Sequence, residues 1–377
     1  MLWDIFCRVI DNYGDIGVSW RLCADLATRG EQVRLWVDDA SALQWMAPGA
    51  TEGLWPGMRV LDWRHSSDPT VLASLPLADV WIETFGCAIA PTFIAHFAYA
   101  TAETGTRQPV WINLEYLSAE PYVERSHGLV SPVMQGPAEG WRKFFFYPGF
   151  TERTGGLLRE PGLMQELATQ TDAELRSDFF ARIGVSLDTA TQGEFLVSLF
   201  CYEPPLLRAL LDQLAESTRH VRLVVTAGRA TYAVRALLDE KTPPGPVHID
   251  YLTALTQKEF DQLLWHCDVN FVRGEDSVVR ALWAGKPFVW HIYPQDDQAH
   301  AAKLEAFMQQ IQWGQSVCHL HRAWNGLLPA AQLDPALLPL AAEALEQWQQ
   351  EVQAARARLL KLEDLCSQLL QFVLKNR

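Results

Sequence analysis

The sequence is short of positive charge, of paired cysteines and of long apolar runs. Its 377 residues carry 31 Lys and Arg against 45 Asp and Glu, a formal net charge of -14. Nucleic-acid affinity rests largely on basic contacts that displace counterions from phosphates, so this balance argues against non-specific nucleic-acid binding. The most apolar stretches, such as Phe195 to Tyr202, fall far short of the roughly 20 residues that a membrane helix needs. The opening Met1 to Ile10 carries Asp4 and Arg8 and runs into a polar segment, unlike the layout of a secretory signal. A cytoplasmic protein without a membrane partner is expected. The seven cysteines (Cys7, Cys23, Cys87, Cys201, Cys267, Cys318 and Cys366) are scattered, odd in number and never spaced CxxC, so no zinc cluster or disulfide framework is visible. They read as small buried hydrophobes, with a cysteine nucleophile as the lesser option.

What is present is ample apolar material: 49% hydrophobic residues and 15 Trp over a length that favours two domains. Leu2 to Ile10 reads as a buried strand, followed by a polar glycine loop, a helical segment from Val18 to Arg29, and a second strand from Val33 to Val37. That is a βαβ unit, which implies a parallel sheet with helices on its faces. Val80 to Glu83 and Val110 to Leu114 continue the series. Between Ser118 and Glu160 the chain is rich in Gly, Pro and aromatics and reads as a boundary or cleft-lining region. A second βα series follows. It places strands at Phe195–Phe200, Val221–Thr226, Val247–Asp250, Val269–Phe271 and Phe288–Ile292, with helices at Pro204–Glu216 and Ser277–Ala284. From Pro335 onward, the spacing of Leu359, Leu362, Leu365, Leu369, Phe372 and Val373 predicts one long amphipathic C-terminal helix.

Four loops could carry chemistry. Asp11-Asn12-Tyr13-Gly14-Asp15-Ile16-Gly17 lies between a first strand and a helix, at the carboxyl edge of a parallel sheet where open α/β folds bind ligands. Its two carboxylates suit a base and an orienting partner, or else Asp11 or Asp15 merely caps the helix. It lacks the GxGxxG dinucleotide fingerprint, and its acidic side chains would oppose a pyrophosphate. Arg273-Gly274-Glu275-Asp276-Ser277 opens a helix after a strand. Backbone N–H groups, a close-approach glycine, a cation and a hydroxyl there fit a phosphate or sugar. The lesser reading makes Glu275 and Asp276 plain first-turn acids that suit the helix dipole. The run from Trp290 to His300 offers aromatic and amide groups for a sugar. Its His291 and His300, with Asp296 and Asp297, have no metal-ligand spacing and read more simply as structural. At Ser198 to Pro204, Phe200 and Tyr202 could bracket a base or ribose, although core packing explains Phe200 nearly as well.

At these segments the sequence resembles the elongation factor P arginine rhamnosyltransferases, the EarP family. The matching stretches are VIDNYGDIGVSWRL (Val9 to Leu22), INLEYLSAE (Ile112 to Glu120), FFFYPGFTERTGGLLRE (Phe144 to Glu160) and VRGEDSVVRALWAGKPFVWHIYPQ (Val272 to Gln295). The resemblance implies an α/β GT-B fold, two Rossmann-like domains facing across a cleft. Residues 1–160 would form the acceptor-binding domain, completed by a C-terminal helix of about 355–377. Residues 161–185 would form a linker and 186–354 the nucleotide-sugar domain. It also implies inverting transfer of L-rhamnose from dTDP-β-L-rhamnose to an arginine of elongation factor P, with no metal or other cofactor. Carried over by motif, Asp11 and Asp15 become the acidic catalytic pair. Phe200, Tyr202, Gln257, Arg273, Glu275, Asp276, Ser277 and, by its loop, Tyr293 become donor-site residues, with Asn12, Tyr13, Gly14, Gly17, Leu255 and Gly274 expected beside them.

The chain departs from the family's aromatic-x-Pro-Gln segment, reading Tyr251-Leu252-Thr253-Ala254-Leu255-Thr256-Gln257. Gln257 keeps its place, while Tyr251 and Leu255 both stand as base-contacting candidates. A guanidinium has a pKa above about 12 and is a poor nucleophile, so a carboxylate must orient it and take its proton as the C–N bond forms. Asp15 is the expected base and Asp11 the orienting partner, with the reverse left open. Competing readings are another GT-B sugar-nucleotide enzyme and a non-catalytic acidic module that binds a basic partner.

Overall fold

A computed structural model describes residues 1–10, 13–170, 172–187, 193–238, 247–295, 299–329 and 338–377. The chain divides into two compact units, Met1–Pro161 with Lys361–Arg377, and Gly162–Leu360.

Among the described residues the first unit holds seven strands: β1 (Leu2–Cys7), β2 (Gln32–Val37), β3 (Met58–Asp62), β4 (Val80–Thr84), β5 (Val110–Leu114), β6 (Val130–Pro132) and β7 (Arg142–Phe146). They lie in the order β3-β2-β1-β4-β5-β7-β6, parallel except for the β6–β7 pair. Strand alternation sends Trp3, Ile5 and Cys7 to one face with the helix Gly14–Thr28, and Phe6 to the other with Trp36, Trp81, Phe93 and Trp111. Asp4 stands in register with Arg34 on the neighbouring strand. The guanidinium grips its carboxylate through two nitrogens at 2.6 and 2.5 Å, and the Trp36 indole donates to it at 2.7 Å. The buried carboxylate is thereby paired, which burial of a charge requires.

The glycine- and aromatic-rich stretch from Ser118 to Glu160 is more ordered than its composition suggests, since it contributes β6 and β7 to the sheet. Its Phe144 and Phe146 serve as core residues, packed edge-on against Phe372.

The C-terminal amphipathic pattern also resolves differently. Two helices form, Ala342–Leu359 and Leu365–Asn376, because Asp364 caps a new start by accepting from the Ser367 N–H at 2.9 Å. Only the last helix joins the first unit. Arg29 secures it, donating to Asp25, Ser367 and Asp364, each at 2.7 Å.

The second unit carries β8 (Phe195–Leu199), β9 (Val221–Val225), β10 (Val247–Tyr251), β11 (Val269–Arg273) and β12 (Phe288–His291), in the order β10-β9-β8-β11-β12 and all parallel. Both sheets thus reverse direction of growth beside their first strand, the Rossmann-like arrangement. The outer edge of β12 is closed by side chains. His321 Nε2 accepts from the Trp290 N–H at 3.1 Å, and Asn325 accepts from Ile292 and donates to the Trp290 carbonyl. An exposed edge that could pair with another chain is so blunted.

Candidate active site

In open α/β sheets ligands bind beyond the carboxyl ends of the strands, where the strand order reverses. In the first unit that point lies between β1 and β4, and in the second between β8 and β11. The predicted acidic loop follows β1. The predicted donor loops follow β8, β10, β11 and β12. Asp11 and Asn12, like Asp296 and Asp297, lie outside the described residues.

Gly14 is the first residue of the helix Gly14–Thr28, and Gly17 donates its N–H to the Tyr13 carbonyl at 2.9 Å in the first turn. Asp15 is only 2% exposed. Its Oδ2 accepts the Ile10 N–H at 2.8 Å, which holds the carboxylate across the loop. The Tyr116 hydroxyl, from the segment after β5, lies 3.4 Å from Oδ1. Tyr13 packs edge-on against Trp45 with ring centroids 5.0 Å apart.

The neighbouring Cys7 thiol is pushed up to about 12 by burial, with the Asp15 charge adding to the effect. Burial raises all seven cysteine thiols, and Cys87 and Cys201 also reach about 12. Burial thus favours the protonated thiol at every cysteine, the opposite of the lowered pKa that an activated cysteine nucleophile needs.

In the second unit, Arg273 precedes the helix Gly274–Ala284. Gly274 has φ +71, a left-handed conformation that suits a residue without Cβ. The buried Arg273 guanidinium sits 4.5 Å from the Phe200 ring centroid and 4.6 Å from that of Tyr202, and donates to the Cys201 carbonyl at 3.1 Å. Tyr202 in turn meets Tyr293 edge-on at 5.5 Å. Four residues read separately from the sequence therefore form one contiguous group. Ser277 donates its hydroxyl back to the Arg273 carbonyl, which fastens the first turn of that helix to the residue before it. Glu275 pairs with Lys303 at 2.5 Å, which neutralises an acid at a helix start otherwise suited to an anion.

Gln257 begins the helix Gln257–His266, whose start is fixed by a capping box between Thr256 and Glu259. Of the two base-contacting candidates, Leu255 is buried within a cluster containing Phe179, Phe180 and Leu263. Tyr251 lies at the end of β10 under the Arg235 guanidinium, 4.6 Å from its ring centroid.

The two histidines are framework groups. His291 Nδ1 accepts the Tyr202 N–H at 3.2 Å, and His300 Nδ1 accepts the Gln295 N–H at 3.1 Å. Burial, followed by the charge of Arg273, pushes His291 down to about 3. Among the described residues, no three His, Cys, Asp or Glu side chains gather as a metal-ligand set.

Residue reading singled out neither Tyr116, Phe85, Lys303 nor the role of Trp290. Tyr116 did lie within the resembling stretch Ile112 to Glu120, whereas the Lys303–Glu275 pair spans 28 residues and had no local signal.

The chain is 41% identical over 396 residues to a protein-arginine rhamnosyltransferase of Pseudomonas putida, with 98% of each chain covered. It is similar to a structure solved for EarP-mediated arginine glycosylation of translation elongation factor EF-P, at TM-score 0.66 and 32% identity, covering 100% of this chain and 99% of that one. Arabidopsis thaliana UGT89C1 complexed with UDP-L-rhamnose shares the fold, at TM-score 0.50 and 11% identity, covering 99% of this chain and 98% of that one. The two Rossmann-like units are those of the GT-B glycosyltransferase fold. A family model for the Elongation-Factor P (EF-P) rhamnosyltransferase EarP matches residues 3–374, and with the whole-chain relative it settles the assignment: the chain belongs to the EarP family.

Proposed function

We propose that this enzyme, a protein-arginine rhamnosyltransferase by family, moves L-rhamnose from dTDP-β-L-rhamnose to an arginine side chain of elongation factor P, with inversion at the anomeric carbon. The observation that carries the reading is the Asp15 carboxylate, buried yet held at the β1–β4 switch by the Ile10 N–H. A protonated guanidinium will not surrender its proton in advance, so binding and deprotonation must be coupled to attack. Asp15 accepts the proton as the guanidine nitrogen bonds to the anomeric carbon, and Asp11 orients the group. The bond from that carbon to the diphosphate oxygen breaks on the opposite face.

The departing dTDP carries the charge that develops in the transition state. Arg273, the N–H groups of Asp276 and Ser277 and the dipole of the helix Gly274–Ala284 supply the stabilisation. Phe200, Tyr202 and Tyr293 frame the nucleotide, with Gln257 and Tyr251 nearer the base. Asn12, Tyr13, Gly14 and Gly17 contribute to the same reaction from the first unit. Leu255 acts indirectly, as packing beneath the base-binding segment. No described helix is long and apolar enough to cross a membrane. The translation-factor acceptor supports a cytoplasmic site of action.

The test is intact-mass analysis of unmodified elongation factor P after incubation with the purified enzyme and dTDP-β-L-rhamnose. One deoxyhexosyl gain, mapped to an arginine-bearing peptide, is the expected result. Transfer only from another sugar nucleotide would reassign the donor. Stable binding of the acceptor without any transfer would favour a non-catalytic module.

A further inference from the structure

Phe85, directly after β4, has φ +57, a left-handed conformation that side chains with a Cβ rarely adopt. The chain fastens it there. The Phe85 N–H donates to the Leu114 carbonyl at 2.7 Å, and the following Gly86 N–H donates to Asn113 Oδ1 at 3.2 Å. A glycine at position 85 would reach this backbone without strain, so what the strained residue adds is its ring. That ring stacks on Tyr116, with centroids 4.4 Å apart and planes 14° from parallel. Tyr116 remains 38% exposed, and its hydroxyl lies 3.4 Å from Asp15 Oδ1. Beside it, Glu115 is half-buried and receives Asn113 Nδ2 at 2.6 Å, and burial raises its carboxyl above the usual range.

We propose that Tyr116, backed by Phe85, is the platform on which the acceptor guanidinium lies while it engages Asp15. The inference rests on the reading of Asp15 as proton acceptor. A guanidinium is planar: its face stacks on an aromatic ring while its edge donates in-plane to a carboxylate. The ring of Tyr116 and the oxygen of Asp15 are within one hydroxyl contact of each other, so one planar group can satisfy both. Phe85 stops the Tyr116 ring from turning away. The hydroxyl adds a second hold on Asp15, and its 3.4 Å separation leaves room for the contact to shorten when the acceptor binds. Tyr116 therefore selects for a flat cation over the flexible point charge of a lysine.

Steady-state kinetics with elongation factor P as varied acceptor separate these roles. Tyr116→Leu removes the ring, and its acceptor KM is expected to rise about tenfold with the donor KM unchanged. Tyr116→Phe keeps the ring, so its acceptor KM should stay within about twofold while kcat falls several-fold through the loosened Asp15. Phe85→Leu should repeat the acceptor KM defect in a protein whose thermal melting remains cooperative. Wild-type acceptor KM and kcat in Tyr116→Leu or Phe85→Leu, with Asp15→Asn inactive, would overturn the platform and leave the proposed function standing. An active Asp15→Asn would instead overturn the reading on which the platform rests. Equal rises in donor and acceptor KM in Tyr116→Phe would also contradict it, since they would mark a general structural role.

Discussion

The indole N–H of Trp290 donates to the main-chain carbonyl of Gly274 at 2.9 Å. The contact ties the end of β12 to the first residue of the helix Gly274–Ala284, and so steadies the turn proposed to meet the diphosphate. Trp290→Phe would keep an aromatic ring facing Phe307, whose ring centroid is 4.8 Å away, while removing the donor together with part of the buried ring volume. A net hydrogen bond contributes about 1 kcal/mol, which corresponds to roughly fivefold in affinity. Calorimetric titration with dTDP should show a weakening of about that size. An unchanged affinity would mean that the turn holds its shape without the indole.

Much of this arrangement is legible in the sequence because strand alternation and glycine loops are local signals. The βα order of both units follows from short apolar runs such as Val110–Leu114, which the structure reproduces residue for residue. The break between Leu359 and Leu365 escaped the reading, since apolar spacing continues across it and only the Asp364 cap marks the new start. Strand β7 escaped because Gly, Pro and aromatic residues around it imitate a loop. The loops themselves carry local signals of residue type, since glycine, carboxylate and aromatic residues follow the strand ends. Their partners Phe85, Lys303 and Trp290 were not, because each acts across a sheet edge or between helices distant in sequence.

Gly156 provides a test of how the last helix is seated. It has φ +72, and a Cβ there would come within 2.4 Å of the Glu363 carbonyl oxygen, a backbone atom that cannot swing aside. Gly53 has nearly the same φ, +73, with nothing within 4 Å of its would-be Cβ. Both alanine substitutions carry the left-handed strain, of about 1–2 kcal/mol. Gly156→Ala adds a collision. Urea unfolding should place Gly156→Ala at least about 1–3 kcal/mol below Gly53→Ala, the usual scale of overpacking. Equal losses would show that the last helix yields at little cost.

Three buried histidines make stability depend on pH. Burial is the main cause in each, holding His266 and His321 down to about 4 and His291 to about 3, from an ordinary value of 6.5. Between those values the unfolded chain binds protons that the folded chain refuses. Their contribution is therefore complete above pH 6.5 and is lost as pH falls toward 4. Asp4 and Asp25, whose carboxyls burial raises, act with the opposite sign. Comparison of wild type with His321→Asn isolates one histidine. The variant is less stable at pH 7, having lost the ring that accepts from Trp290, but its stability should fall less steeply between pH 6.5 and 4. Parallel pH curves would contradict the assignment of a neutral buried ring.

On the proposed mechanism Asp15 takes the proton from the acceptor while the second unit holds the donor. Asp15→Asn is nearly isosteric and keeps an oxygen able to accept the Ile10 N–H, but an amide cannot serve as the base. The decisive measurement pairs single-turnover rhamnosyl transfer to elongation factor P with calorimetric affinity for dTDP-β-L-rhamnose, in wild type and Asp15→Asn. Loss of general-base catalysis predicts a transfer rate lower by about 10² to 10⁴, with donor affinity within about twofold of wild type. A transfer rate close to wild type, or a fall in donor affinity that accounts for the lost rate, would contradict Asp15 as the proton acceptor.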